Sequence, residues 1–83
     1  MVVVLLPSLL ATEAGGQSRF EVDAGTVEQA LRQLPVSDLL FDEHGALRSL
    51  VNVYVDGVDM RDRGGLDAPA AGEIRVVAAV AGG

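Results

Sequence analysis

Cysteine, lysine and tryptophan are absent from this 83-residue chain, and histidine and tyrosine occur once each. Without cysteine there is no disulfide framework, no thiolate metal site and no thiol nucleophile. A single histidine, His44, cannot build a histidine metal cluster. Basic residues are scarce. Six arginines face twelve acids, for a net charge of −6, which argues against nucleic acid as a partner, because phosphate neutralisation needs a basic surface. Long apolar runs are missing too. The stretch Met1–Ala11 is too short to span a bilayer. It also has no positive charge ahead of Arg19, unlike a secretory signal. A cytoplasmic protein with no membrane partner is the expectation. The short length leaves room for one core and none for a cleft between lobes.

What is present reads as alternating strands and one helix. The β-branched run from Val2 to Leu6 predicts a strand stopped near Pro7. Glu13 to Gln17, with two glycines, predicts a turn. Arg19 to Asp23 alternates, with Phe20 and Val22 on one face, and pairs with the first strand. Thr26-Val-Glu-Gln29 fits a capping box. Val27, Ala30, Leu31 and Leu34 then follow at helical spacing until Pro35 stops the helix. From Val36 to Ser49 no element is assigned, although Leu39, Leu40, Phe41 and Leu47 are expected to bury in part. Asp56-Gly57 between Leu50–Val55 and Val58–Met60 is the signature of a type I′ hairpin. Gly64-Gly65-Leu66 and Pro69 predict an irregular crossing, and Glu73 to Val80 a last strand. The order ββαβ(β)β is an α+β layer, with one helix on one face of a mixed sheet of four to five strands. Residues 1–80 form the single expected domain, and 81–83 a flexible tail.

The tail carries the chemical signal. Gly82-Gly83 after an apolar strand contributes no packing, and glycine loses the most entropy on ordering. A frayed end with no role explains it blandly. A tail built to enter a narrow slot explains it functionally. Without Cβ atoms the backbone approaches a nucleotide closely, and Gly83 presents an unhindered carboxylate. A carboxylate becomes an acyl donor only after activation, for instance as an acyl-adenylate formed in another protein's ATP site.

Several segments together resemble the MoaD/ThiS family of ubiquitin-like sulfur carriers, over essentially all 83 residues and closest to its CysO type. They are Leu6-Pro7, Gly15-Gly16-Gln17, Val51-Asn52-Val53-Tyr54-Val55, Asp59 with Arg61, Gly64-Gly65-Leu66, and the ending Ala79-Val80-Ala81-Gly82-Gly83. The segment from Pro35 to Leu47 is shorter than in that type. The resemblance implies the β-grasp fold and a protein cosubstrate rather than an enzyme, with no bound cofactor. An E1-like (MoeB/ThiF-type) activating enzyme would use ATP to adenylate Gly83. A sulfur donor would then leave a thiocarboxylate there, while Gly82, Ala81 and Val80 thread the partner's active site. The implied consumer is a cysteine-synthase-like or thiazole-synthase-like acceptor enzyme, supplying cysteine or a specialised product such as a thiosugar. A JAMM-type metalloprotease would release a cysteine adduct. A chain without Lys or Cys could not capture its own activated terminus, although compositional bias also accounts for the missing lysines.

Strand parity, aligned with the family pattern, puts Val2, Val4, Leu6, Ile74 and Val76 under the helix. Val3, Leu5, Val77 and Ala79 are then left on the open face as a partner-binding patch beside the tail. A few exposed valines are also ordinary on any surface. His44 beside Asp42 and Glu43 reads as a solvated turn residue, and Asp56, Asp59, Asp62 and Asp67 lack calcium-loop spacing. Three rival functions stay open: the small subunit of molybdopterin synthase, a ubiquitin-like modifier forming isopeptides, and a passive β-grasp adaptor.

Overall fold

β-branched residues build the sheet of the computed structural model, which describes residues 1–78. Strand β1 is Val2–Leu5, β2 Arg19–Val22, β3 Val51–Val55, β4 Val58–Asp59 and β5 Glu73–Ala78. They form one five-stranded sheet in the order β2-β1-β5-β3-β4. β1 runs parallel to β5, and the other neighbours are antiparallel. The mixed sheet and the helix across it match the architecture expected from the sequence.

Three short helices connect the strands: α1 (Ser8–Glu13), α2 (Val27–Arg32) and α3 (Ser37–Leu40). α2 is the helix that the apolar spacing predicts. The Thr26 hydroxyl accepts from the Gln29 N–H at 3.2 Å, and the Gln29 side chain reaches back to accept from the Gly25 N–H at 2.8 Å. Val27, Ala30, Leu31 and Leu34 bury completely or nearly so. They close the core over Val2, Val4 and Leu6 of the first strand and its extension, and over Val53, Val55, Ile74 and Val76. α1 and α3 are additions to the one-helix expectation. α1 follows Pro7, which has no side chain to cap it, and it is held by burying Leu10 and Ala11. α3 places Leu40 and Phe41 in the core, while Leu39 stays exposed.

The loop after α3 closes on a bridge between Phe41 and Leu47, with the Arg32 guanidinium 3.8 Å above the Phe41 ring. At the β3–β4 turn Asp56 (φ 49°) and Gly57 (φ 83°) both adopt the left-handed conformation a type I′ hairpin requires. The crossing to β5 consists of two 3-10 turns, Met60–Arg63 and Gly65–Asp67. It is tied to the start of α2 by hydrogen bonds from Val27 N–H to the Ala68 carbonyl and from Ala70 N–H to the Gly25 carbonyl. Among the described residues, no helix is long and apolar enough to cross a membrane.

Candidate functional site

The pleat sends successive side chains to opposite faces, so the buried set under α2 fixes the membership of the other face. Cross-strand register arranges that open face in rows. One row runs Glu21–Val3–Glu73, the next Arg19–Leu5–Arg75–Tyr54–Asp59, and the one nearest the end of β5 pairs Val77 with Asn52. Val3 and Leu5 are half-buried, and Val77 is 38% exposed.

Each arginine on this face finds a carboxylate two residues away. Arg19 Nη1 lies 3.1 Å from Glu21 Oε1, and Arg75 Nη2 lies 3.3 Å from Glu73 Oε1. Arg61 folds back from the 3-10 turn onto Asp59 at 2.7 Å. Its Nε and its backbone N–H also donate to Asp59 Oδ1. The Arg61 side-chain bond, helped by that backbone donor, holds the Asp59 carboxyl down at about 2. Exposed pairs of this kind contribute little stability, but they determine how charge is distributed over the face.

The predicted patch therefore divides. The structure brings Val3, Leu5 and Val77 onto one face, as parity requires. It frames Val3 and Leu5 with four charges that the expectation of an apolar patch left out. The signal was legible: Arg19-Phe-Glu21 and Glu73-Ile-Arg75 each place opposite charges two apart in a strand. Ala79, Val80, Ala81, Gly82 and Gly83 lie outside the described residues. β5 carries the chain towards them from the middle of the sheet.

The remaining candidates have local explanations. Asp42 Oδ1 accepts from the backbone N–H groups of His44 and Ala46, so this acid organises its own turn. The His44 side chain projects into solvent, 3.8 Å from Glu43. No group of three or more His, Cys, Asp or Glu side chains positioned to hold a metal occurs among the described residues.

No family profile matches the chain, but individual proteins do. The sulfur carrier protein CysO of Mycobacterium tuberculosis is 34% identical over 91 aligned positions, covering 99% of this chain and 98% of the relative. The crystal structure of M. tuberculosis CysO superposes with a TM-score of 0.84, at 30% identity over 96% of this chain and all of that one. A chain in the Amycolatopsis orientalis BexX/CysO complex gives 0.83, at 29% identity with both chains covered fully. The small archaeal modifier protein SAMP1 of Haloferax volcanii gives 0.74, at 31% identity over 99% of this chain and 98% of its own. These likenesses run the full length of the chain and preserve the β-grasp architecture built above, and so the chain belongs to the ubiquitin-like sulfur carrier proteins of the CysO type.

Proposed function

We propose that this protein carries sulfur on its terminal glycine. The observation that bears most weight is the full-length identity with CysO, in a chain that ends Gly82-Gly83 beyond a strand held at the centre of the sheet. In this reading an E1-like enzyme joins the Gly83 carboxylate to the α-phosphate of ATP, and pyrophosphate leaves. A sulfur donor attacks the acyl carbon, AMP departs, and a thiocarboxylate remains. The acceptor enzyme takes the sulfur, and water cleaves the acyl–sulfur bond to regenerate the carboxylate. Val80, Ala81 and Gly82 thread the partner's slot, and Val3, Leu5, Val77 and Ala79 contribute to docking. The protein acts as a cosubstrate rather than an enzyme. Its use of ATP, through the activating enzyme, is assigned to the cytoplasm. The BexX/CysO complex, in which a related chain is assembled with a second protein, supports a partner-dependent carrier.

A second reading rests on the likeness to small archaeal modifier protein 1: the same activated Gly83 would be passed to a lysine of another protein. Intact mass after incubation with ATP, an E1-like enzyme and sulfide separates the two. The carrier gains the mass difference between sulfur and oxygen on the free chain. The modifier appears instead as higher-mass conjugates. Deleting Gly83 removes either product while leaving the circular dichroism spectrum unchanged. A truncated chain that still forms thiocarboxylate overturns the proposal.

A further inference from the structure

We propose that the free edge of β2 is a latent pairing surface for a second copy of this chain, held closed by the side chains of Gln17 and Gln33. The proposal stands apart from the carrier reading and from the tail. Its basis is the direction of the backbone groups. Leu6 N–H donates to the Ser18 carbonyl at 2.8 Å, one step past Leu5↔Arg19. Ser18, Phe20 and Val22 therefore turn their backbone groups towards β1, and Arg19, Glu21 and Asp23 turn theirs outward. Two of these outward carbonyls are occupied. The Gln17 side-chain amide donates to the Arg19 carbonyl at 2.8 Å, and the Gln33 amide donates to the Asp23 carbonyl at 2.8 Å. The two amides stand on either side of Glu21, whose own N–H and C=O face outward.

An uncovered edge strand is a template for another strand, and lysine is a common guard against it. This chain has no lysine. At the other edge of the sheet, β4 is two residues long and runs straight into a 3-10 turn, so it offers no ladder. β2 does offer one, and its sequence is self-complementary. Residues directly opposite in an antiparallel pair share a sheet face. Two copies can therefore meet with Arg19 opposite Arg19, Glu21 opposite Glu21, or Phe20 opposite Phe20. The first two set like charges across from each other. The third sets each Arg19 opposite Glu21 of the second copy. It also brings together the two half-buried Phe20 rings, which lie on the core side of the sheet. The ladder bonds in that register run between the backbone groups of Arg19 and those of the opposite Glu21. Half of them need the Arg19 carbonyl, which Gln17 already holds. Gln33 blocks the next step, at Asp23. The pairing is twofold, so it closes at a dimer.

The test is sedimentation equilibrium of the full chain, with hydrogen exchange of the Arg19 and Glu21 amides as the local readout. The parent chain is expected to be monomeric at about 100 μM, with both amides exchanging fast. Gln17→Ala with Gln33→Ala is expected to tighten self-association at least about tenfold, because the Arg19 carbonyls of both copies become free to accept. Where that dimer dominates, both amides are expected to slow by about tenfold or more. Adding Glu21→Arg to this variant puts like charges opposite each other and is expected to return the monomer. Adding instead the swap Arg19→Glu with Glu21→Arg restores opposite charges and is expected to keep the dimer. A double variant that stays monomeric overturns the proposal. So does a parent that dimerises as tightly as the variant, or a dimer indifferent to Glu21→Arg. Growth beyond a dimer also overturns it, because that needs a second edge. Gln17 and Gln33 are exposed, and thermal melts verify that the variants fold. If the alanines lower the melt, Gln17→Met with Gln33→Met, similar in length but without the donor, is read in their place.

Discussion

Asp56 and Glu73 exchange two hydrogen bonds: the Asp56 N–H donates to the Glu73 carbonyl at 2.8 Å, and Asp56 Oδ1 accepts from the Glu73 N–H at 3.0 Å. The pair extends the β3–β5 ladder one step past Val55↔Ile74. It joins the hairpin turn to the start of the central strand. Gly72 (φ 61°) leaves room for it, because a Cβ there would run into the Asp56 carboxylate.

Replacing Gly72 with Ala is accordingly expected to destabilise the fold by about 2–3 kcal/mol. Roughly 1–2 comes from the left-handed backbone and about 1 from the disturbed hydrogen bond. Asp56→Ala should cost about 1–2 kcal/mol through the same bond and the turn. Urea titrations of the two single variants and the double check this. The double should lose less than the sum, because both substitutions act on one contact.

A carboxyl NMR titration of Asp59 should give a midpoint at about 2, against an ordinary 3.8. The value is lower in the folded protein than in the unfolded chain. The contribution to stability is therefore complete above the unfolded value and is lost as pH falls through the folded one. Arg61→Ala should return the midpoint towards 3.8 and remove that part of the acid dependence. A midpoint unmoved by the substitution would contradict the assigned cause.

Thr26→Ala removes the hydroxyl that caps α2 and should cost about 1 kcal/mol, whereas Thr26→Asp should be nearly neutral. Gln29→Ala frees the Gly25 N–H to solvent and should cost less than Thr26→Ala, since Gly25 is exposed. Thermal melts of the three variants give the ranking.

Leu31, on the inner face of α2, is fully buried, and Leu31→Ala should cost about 2–5 kcal/mol. In so small a domain that is a large part of the total stability. A lowered melting temperature or outright unfolding is expected, and a wild-type melt would refute the packing described.

The elements legible in the sequence are those whose pattern is set locally. The alternation in Arg19–Val22, the Asp56-Gly57 turn and the stripe Val27, Ala30, Leu31, Leu34 each specify a period that few other structures satisfy. α1 carries a weaker pattern. Leu10, Ala11 and Ala14 share a face, but Leu9 is equally apolar, and only contact with the core decides that Leu10 buries while Leu9 stays 56% exposed. α3 is a single turn whose Leu40 is selected the same way. At the candidate site, parity identified the residues of the open face. It did not identify which charges flank the apolar residues, because Glu21 and Glu73 are brought to either side of Val3 only by the register of three strands.

The position of β5 has a mechanical consequence. It is flanked on one side by parallel β1 and on the other by antiparallel β3. A force applied to Ala78 along the strand loads both ladders in shear, many hydrogen bonds at once, instead of unzipping them singly from an edge. Such a load is shared by the two central ladders, so β5 resists being drawn out of the sheet.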